Sequence, residues 1–419
     1  MERKLRVLFL NDTSRNGGPG RSLFYILRFL DTSRIHRAVV LPRPGVISEM
    51  YRTAGVADEL FFEHDLVENP VEPASRAMVR EDFDAPLGVR ASRLVVNVMR
   101  GARGILRLRR RILLGPYDLI YCNGTNACFA GGALARMTGV PALWHVRYTS
   151  VPKALTDLHT KLASHPNVAR IVCVSNASAS LFPSQKDKVR VIHNALDPAD
   201  FDTSSIVPLL RKELRLPADT IVFGSQGRIL PRKGYVEMIH AAKQMLERLS
   251  PSEKGRAHFA VLGDTPDDIQ PDHLAECRAL VEKLGLEKQF TFLGFRSNVA
   301  EYASDFDVAV VPSTYADPLP RAVIESMALG KPVVAFDVGG VGEMLQHGVT
   351  GTLISGSPPD VSALGEAFFQ YFHDADRRAR EGRAGRAHIE REYDARIHGE
   401  RIQAQIFEAV ADKGRQSKS

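Results

Sequence analysis

The amino-acid sequence predicts an α/β protein built from two Rossmann-like parallel-sheet domains that face one another across a cleft. Three observations predict this. The chain has 419 residues, too many for one ordinary domain and suitable for two of roughly 150–200 residues. Short apolar runs alternate with longer helix-like stretches, as in successive βαβ units. The alternation stops once, at the Pro-, Asp- and Ser-rich segment 196–218 (LDPADFDTSSIVPLLRKELRLPA).

Twelve apolar runs of strand length are expected to be buried strands, because four to eight mostly β-branched residues between helix-length segments are typical of parallel sheets. In the first half of the chain they are 6–10, 37–42, 119–122, 142–145, 170–175 and 189–193. In the second half they are 221–225, 258–263, 290–294, 308–312, 332–336 and 352–354.

The same pattern predicts the domain organisation. We expect an N-terminal domain over 1–196, a C-terminal domain over 197–385, and a C-terminal helix over 386–419 that returns to the N-terminal domain. The tail from 377 to 410 is charged and helical in character. Among its apolar residues are Ile389, Tyr393, Ile397, Ile402 and Ile406.

Composition excludes several classes of protein. Apolar residues make up 44% and charged residues 25% of the chain, which excludes wholesale disorder and fibrous repeats. The longest apolar runs are too short for a signal peptide or a membrane span. The four cysteines lack metal-ligand spacing and are too few for a disulfide scaffold. We therefore expect a cytoplasmic protein. The cysteines are Cys122, Cys128, Cys173 and Cys277.

Positive charge is concentrated in the first half of the chain. The net charge is +6, but residues 1–200 hold 28 basic and 18 acidic residues, and the remainder hold 27 and 31. The segment 90–111 has eight arginines and no acid. At 100° per residue its arginines fall largely on one side, and its apolar residues, from Leu94 to Leu113, on the other. Such a helix is typical of peripheral contact with an anionic membrane at its inner face. An amphipathic surface helix packed on the first sheet has the same pattern.

The segment 312–336 (PSTYADPLPRAVIESMALGKPVVAF) combines two carboxylates with a helix start. A strand ends near Val311, a loop carries Asp317, and a helix is expected to begin near Pro320, with Glu325 about one turn inside it. In open α/β sheets, ligands bind at this edge and helix N-termini hold phosphates. The simpler alternative is a solvated loop acid and a Glu stabilised by the helix dipole.

The segment 225–234 (SQGRILPRKG) follows the first strand of the second domain. It supplies three cations, Arg228, Arg232 and Lys233, at a strand-to-helix turn. A guanidinium fork and an ammonium group suit a diphosphate. An ordinary surface loop with solvated cations remains the alternative.

The order of these motifs resembles that of a known family. GRxxxxKG is followed by FLG (292–294), PS (312–313), an acid with Glu eight positions later, GKPVVA (330–335), GGVGE (339–343) and GVTG (348–351). This order is similar to that of the retaining, nucleotide-sugar-dependent glycosyltransferases of family 4, which have the GT-B fold. The first half agrees more weakly, through Gly17-Gly18, Ser175 in VSNAS and the segment HNALDPADF.

The resemblance implies a role for each matching residue. Glu325 would hold the nucleotide ribose, and Asp317 with the backbone that follows it would hold the donor sugar. Arg228 and Lys233 would bind the diphosphate as catalytic cations. Gly17 and Gly18 would let the first-domain loop approach it. Gly227, Phe295, Leu319 and Pro320 complete the expected substrate-binding set.

The sequence departs from the family pattern in three places. The first acid is usually Glu, whereas Asp317 is one methylene shorter. Pro320 stands where Gly is usual and has no N–H to donate. Family members often place a catalytic His after a Pro-led strand; here the segment is PALWHVR, so His145 is the candidate and Arg147 is an equally good match.

The resemblance implies transfer of a hexose-type sugar from a nucleotide-diphosphate sugar to a glycan, lipid-linked or small-molecule acceptor, as in cell-envelope polysaccharide synthesis. Side-chain cations would neutralise the leaving group, so we expect no metal and no other cofactor, and no nucleic-acid partner. Asp305 and Asp307 are interpreted as a strand entry rather than a metal site.

Three alternatives to transfer differ in what they need from the sequence. A nucleotide-sugar epimerase of the same fold needs an acid/base pair that we do not find in the first domain. An NAD-dependent oxidoreductase is disfavoured, because 18–20 (GPG) lacks the third spaced glycine of a dinucleotide site. A non-catalytic nucleotide-sugar-binding protein remains an alternative.

Overall fold

The computed structural model describes residues 3–14, 17–66, 87–265 and 272–416. The chain divides into two compact units. The N-terminal unit comprises Met1–Ala195 and Ala395–Ser419, and the C-terminal unit comprises Leu196–Asp394. The expected first boundary, between 196 and 197, lies one residue beyond the boundary between these units.

The N-terminal unit is built on a seven-stranded parallel sheet. Its spatial order is β3-β2-β1-β4-β5-β6-β7. The predicted strands in this half are confirmed to within two residues at each end. The prediction missed one strand, β3, because its sequence ELFF is short, half-buried and does not alternate. The strands are β1 (Leu5–Asn11), β2 (Ile35–Leu41), β3 (Glu59–Phe62), β4 (Leu119–Asn123), β5 (Ala142–Val146), β6 (Val168–Cys173) and β7 (Val189–Val191).

Helices cover both faces of this sheet, because alternate residues of a strand point to opposite sides. Val7 and Phe9 of β1 pack in one apolar cluster with the first two helices. Leu8 and Leu10 pack in another with the next three. The helices are α1 (Gly18–Phe29), α2 (Val46–Thr53), α3 (Leu87–Leu114), α4 (Thr125–Thr138), α5 (Thr156–Ser164) and α6 (Asn176–Ala179).

The C-terminal unit is built on a six-stranded parallel sheet of order β10-β9-β8-β11-β12-β13. All six strands predicted for this half are confirmed. Phe223, Phe259 and Phe368 pack against one another in the core on one face of the sheet. The strands are β8 (Ile221–Gln226), β9 (Ala257–Leu262), β10 (Phe290–Gly294), β11 (Val308–Val311), β12 (Val333–Asp337) and β13 (Gly351–Ser355).

Short and long helices alternate with these strands. The helix after β11 begins at Arg321, with Pro320 as its N-cap, as the sequence predicted. The helices are α7 (Leu210–Leu214), α8 (Tyr235–Arg248), α9 (Pro251–Lys254), α10 (His273–Lys283), α11 (Val299–Ala303), α12 (Arg321–Ala328) and α13 (Val361–His373).

The tail contains two helices rather than one, α14 (Ala375–Glu392) and α15 (Ala395–Gln416). The expected boundary at 386 falls inside α14, where the Arg386 guanidinium donates to the Pro198 carbonyl in the C-terminal unit at 3.1 Å. The helical conformation is interrupted at Tyr393, whose carbonyl accepts a hydrogen bond from Leu196 N–H at 3.1 Å. Helix α15 then packs in the N-terminal unit through Ile402 and Ile406. The segment that returns to that unit therefore begins at Ala395.

Candidate active site

The segment 225–234, which carries the cations, and the segment 312–336, which carries the two carboxylates, lie side by side at one edge of the C-terminal sheet. Strands β9 and β10 lie beyond β8, and β12 and β13 lie beyond β11, so the strand order reverses between β8 and β11. The segment 227–233 leaves the carboxyl end of β8, and 312–320 leaves that of β11. Open α/β sheets bind ligands in the crevice at such a reversal.

The two segments touch through their backbones. Gly234 has a φ of 74°, and a Cβ at this position would lie 1.7 Å from the Pro312 carbonyl oxygen. Thr314 N–H donates to the Arg232 carbonyl at 3.0 Å. Only glycine allows this close approach, because a side chain would clash and the left-handed backbone is unfavourable for other residues. The contact fixes the cations of one loop beside the carboxylate of the other.

Lys233 and Asp317 form a largely buried ion pair across this contact. Lys233 Nζ lies 2.7 Å from Asp317 Oδ2. Tyr315 donates its hydroxyl to the same oxygen at 2.8 Å. The structure thus joins two of the predicted site residues and adds Tyr315, which the sequence analysis did not identify.

Two cations lie over the Tyr315 ring. The Arg232 guanidinium carbon lies 4.8 Å from the ring centroid and Lys233 Nζ lies 5.1 Å from it. Burial raises the pKa of Tyr315, and the Asp317 carboxylate raises it further, while the charges of Arg232 and Arg228 oppose the shift. Tyr315 therefore stays protonated and keeps donating to Asp317. Arg228 itself is exposed at the end of β8.

Glu325 is held by donors to both of its carboxylate oxygens. Arg321 Nε donates to Oε1 at 3.0 Å from one turn earlier in α12. Gln226 Nε2 donates to Oε2 at 2.8 Å from the end of β8. The Glu325 residue is only 8% exposed. Among the described residues, Gln226 Oε1 is buried without a hydrogen-bond partner, so an acceptor beside Glu325 is left for another donor.

The remaining predicted residues of this unit lie along the same sheet edge. Gly227 is exposed at the end of β8 with a φ of 148°. Leu319 is buried, so that only its backbone is suited to meet a ligand. Pro320 caps α12 and has no N–H. Phe295, 59% exposed, follows β10, two strands away from β8.

The N-terminal unit has its own strand-order reversal, between β1 and β4. Asn123 Nδ2 donates to Asn11 Oδ1 at 2.6 Å and to the Pro19 carbonyl at 3.1 Å. This bond to Pro19 fixes the start of α1, whose N-cap is Gly17 and whose first residue is Gly18. The predicted glycines therefore lie at a helix N-terminus above the reversal point of their own sheet.

His145 lies in β5 and is fully buried. Its Nδ1 bonds the Tyr121 hydroxyl, and its ring lies 6.3 Å from that of His398. Burial, with Arg147 and His398, lowers its pKa well below the usual value. Arg147 directly follows β5 and remains partly exposed, with Nε donating to Asn123 Oδ1 at 2.6 Å. Of the two alternatives, Arg147 is the more exposed side chain, and the catalytic assignment of either one stays a prediction.

Other charged groups are engaged in structural contacts. Arg211 pairs with Asp307 at 2.7 Å and with Asp305 at 3.6 Å, in line with a strand entry. In the described part of the chain, no three or more His, Cys, Asp or Glu side chains are grouped as metal ligands. A cavity of about 110 Å³ in the N-terminal unit holds none of the predicted site residues, and its Arg170 pairs with Asp412 at 2.5 Å.

Two Rossmann-like units, each built on a parallel sheet with helices on both faces, are the architecture of glycosyltransferases with the GT-B fold. Two family models match successive segments of the chain. The model Glycosyltransferase Family 4 matches residues 17–200, and the model Glycosyl transferases group 1 matches residues 207–388. The chain belongs to glycosyltransferase family 4.

Individual relatives agree with this assignment. D-inositol 3-phosphate glycosyltransferase of Kribbella flavida is 30% identical over 65% of this chain and 68% of its own length. The uncharacterized glycosyltransferase MJ1607 of Methanocaldococcus jannaschii is 27% identical over 59% of this chain, and the match spans 65% of that relative's length. The solved structure of Anabaena Alr3699/HepE in complex with UDP and glucose has a TM-score of 0.77 at 23% identity, covering 96% of this chain and 99% of that one.

Four site residues escaped the sequence analysis for a common reason. Tyr315 and Arg321 lie inside a segment that was singled out, but their chemistry depends on which neighbour they face. Gln226 and Asn123 end strands, and Gln226 meets a carboxylate 99 positions away. A polar residue that ends a strand beside a strand-order reversal was the available signal.

Proposed function

We propose that this protein transfers a hexose-type sugar from a nucleoside diphosphate sugar to an acceptor hydroxyl, with retention of the anomeric configuration. One observation carries the proposal: Lys233, Asp317 and Glu325 are fixed at the reversal between β8 and β11, with Arg228 on the adjoining loop. The solved relative that contains UDP and glucose, and the relative that is named as a glycosyltransferase of inositol phosphate, support this class of substrates.

In this proposal Glu325 accepts hydrogen bonds from the ribose hydroxyls. Arg321 and Gln226 occupy one lone pair on each carboxylate oxygen, and each oxygen retains capacity for one more donor. Two hydroxyls on a sugar ring match two oxygens whose positions are already fixed. The donors that hold Glu325 therefore orient it before the nucleotide binds.

Arg228 and Lys233 would act on the leaving group. When the anomeric C–O bond breaks, negative charge grows on the diphosphate as the sugar takes on oxocarbenium character. Cations that are already positioned stabilise that charge at no reorganisation cost. Because these cations are side chains, we propose that no metal is required and that activity survives EDTA.

The acceptor is proposed to be a glycan, a lipid-linked sugar or a small polyol, of the kind used in cell-envelope synthesis. Residues 1–200 carry an excess of ten positive charges, as 28 basic against 18 acidic residues, and we propose peripheral contact of this part with an anionic membrane. In the described residues no helix is long and apolar enough to cross a membrane.

The test begins with a calorimetric screen of UDP-, GDP- and ADP-sugars against the full-length protein. Transfer is then assayed with the donor that binds, and proton NMR of the first product reports the anomer. Arg228→Ala and Lys233→Ala should each lower kcat about 10²-fold. Arg380→Ala, at an exposed site on α14, is the matched control and should leave kcat unchanged.

The outcomes separate the alternatives. An inverted anomer would contradict retention, and wild-type turnover in both cation variants would place the diphosphate elsewhere. An epimerase would convert the nucleotide sugar with no acceptor present. Donor binding with no turnover toward any acceptor would favour a non-catalytic binding protein.

A further inference from the structure

From residue 95 to its end, where its side chains are described, helix α3 packs on the N-terminal unit with one face. Leu108 and Ile112, each 2% exposed, enter the core of that unit. Gly104 lies on the same face, where a Cβ would be 3.0 Å from the Asp65 backbone. Ile105 packs against the edge of the same core, and Asn97 is buried as well.

The opposite face of α3 is apolar and exposed. At 100° per residue, Leu113 lies at the same angle as Val95, and Leu106 and Met99 lie within about 40° of it. The exposed fractions are 58% for Val95, 52% for Met99, 55% for Leu106 and 52% for Leu113. A single exposed apolar residue needs no explanation, whereas a continuous strip along a helix does. We call these four residues the outer strip.

The arginines of α3 divide into two groups. Arg100 pairs with Asp65 at 3.3 Å, and Arg107 pairs with Asp65 at 2.8 Å and with Glu63 at 3.0 Å. These charges are neutralised by the body of the unit.

Arg103, Arg109 and Arg110 have no ion-pair partner among the residues that the structure describes. The same projection puts Arg109 at one edge of the outer strip and Arg103 with Arg110 at the other. Unpaired positive charge therefore borders the exposed apolar strip on both sides.

We propose that the outer face of α3 is a docking surface for an anionic lipid bilayer and lies in the plane of its headgroups. Apolar side chains along the centre would enter the acyl boundary, and the bordering arginines would contact lipid phosphates. We choose an anionic bilayer over a neutral protein surface, because lipid phosphates would supply counter-charges to Arg103, Arg109 and Arg110 and a neutral surface would not. At about 1.5 Å per residue, the outer strip from Val95 to Leu113 would lie over roughly 27 Å of bilayer. The proposal rests on the membrane contact proposed above, to which it assigns a surface, and it does not depend on the transfer reaction.

The test is flotation of the full-length protein with vesicles of phosphatidylcholine alone or mixed with phosphatidylglycerol, at low and high salt. The wild type should float with the anionic vesicles at low salt and be released at high salt. Arg103/Arg110→Glu should lower partitioning at least about 25-fold, because loss of each positive charge alone costs about fivefold and each new negative charge is repelled. Met99/Leu106→Ser should also lower partitioning onto anionic vesicles. The ratio of partitioning at low salt to that at high salt should change little.

Arg380/Arg383→Glu is the matched control, since both side chains are exposed on α14 of the C-terminal unit. It makes the same change in net charge and should leave flotation at the wild-type level. Thermal unfolding and donor binding report whether each variant is folded. Absence of flotation by the wild type, or equal flotation of Arg103/Arg110→Glu and the control, would overturn the proposal. A wild-type dimer that Met99/Leu106→Ser dissociates would instead assign the strip to a second copy, and would also overturn it.

Discussion

The Glu325 carboxylate is held in place by side chains from two elements, Gln226 at the end of β8 and Arg321 in α12. The motif identified Glu325 itself, because its distance from Asp317 along the chain is characteristic. The motif did not identify Gln226, because this contact exists only once β8 and β11 are adjacent in the sheet. Residues within one segment could therefore be predicted from the sequence, and partners across the sheet could not.

Replacing Gln226 should weaken donor binding more than turnover. Gln226→Leu removes the donor to Glu325 Oε2 and leaves only Oε1 held by Arg321, so that the carboxylate is oriented less firmly toward the proposed ribose. A hydrogen bond to a charged group contributes about 1.5–3 kcal/mol, so the donor KM should rise about 10- to 100-fold. The ribose does not change during the reaction, so kcat should change little. Steady-state kinetics on the identified donor measures both.

A ribose-modified donor supplies the control for this prediction. The variant should discriminate poorly between the donor and an analogue that lacks a ribose hydroxyl, whereas the wild type should discriminate well. An unchanged KM in Gln226→Leu, or a loss confined to kcat, would contradict the role of Gln226 in orienting Glu325.

His145 and Arg147 show the limit of motif matching at a strand end. The sequence could place a strand at 142–145, but two residues fitted the catalytic position equally well. The strand extends to Val146 and His145 faces the core, where Tyr121 and His398 pack against it. Only the packing of other elements against β5 distinguishes the buried residue from the accessible one.

Helix α3 illustrates the same limit for an amphipathic element. The sequence placed its apolar residues largely on one side. In the structure they form two sets, of which Leu108 and Ile112 are buried and Val95, Val98, Met99 and Leu106 are exposed. A helical projection does not reveal which part of a broad apolar face meets the sheet. That depends on glycine positions such as Gly104 and on ion pairs to a neighbouring loop.

The loop that carries Asp317 depends on a glycine turn after β12. Gly339 has a φ of 59°, and a Cβ there would lie 2.2 Å from the Asp317 carbonyl oxygen. Gly340 N–H donates to the same oxygen at 2.9 Å. Gly339→Ala should therefore displace Asp317 from Lys233, lower transfer at least about tenfold, and destabilise the fold by more than the roughly 1 kcal/mol of a left-handed alanine.

Gly348→Ala is the matched control for this change. Gly348 has a φ of 73°, and a Cβ there would meet nothing within 4 Å. Gly348→Ala should lose the same roughly 1 kcal/mol of stability through backbone strain and should retain wild-type transfer. Denaturant unfolding and donor kinetics on both variants separate strain from displacement. Equal losses of transfer would show that the Gly339 contact does not position Asp317.

The arrangement of sheets and helices could be predicted from sequence more fully than the site. Every predicted strand is present, because apolar runs between helix-length segments leave few alternatives. The edge strand β3 was missed because its four residues do not alternate, and the interruption of the tail helix at Tyr393 was missed because it depends on a contact with Leu196. The motif residues were placed on the correct loops, whereas Tyr315 and Gln226 required the assembled sheet.

Buried histidines should make the N-terminal unit sensitive to acid. Burial lowers the pKa of His159 to about 4, and burial with Arg147 lowers the pKa of His398 to about 3. In the unfolded chain each titrates near 6.5. The stabilisation from the neutral form is therefore complete above about pH 6.5 and is lost as the pH falls toward the folded pKa. Each group should lower the free energy of unfolding by up to about 1.4 kcal/mol per pH unit.

The single tryptophan allows the acid sensitivity of the N-terminal unit to be measured separately from that of the C-terminal unit. Trp144 is buried in the N-terminal unit, with its ring 5.4 Å from that of His159. Denaturant unfolding followed by tryptophan fluorescence should move to lower denaturant between pH 7 and pH 5. The same transition in His159→Gln, which keeps an acceptor for the Tyr148 hydroxyl, should move less, because one proton-binding group is gone. Above pH 5 the acidic side chains remain ionised in both states and contribute little. If the wild type and His159→Gln show the same pH slope, His159 does not carry the acid sensitivity of this unit.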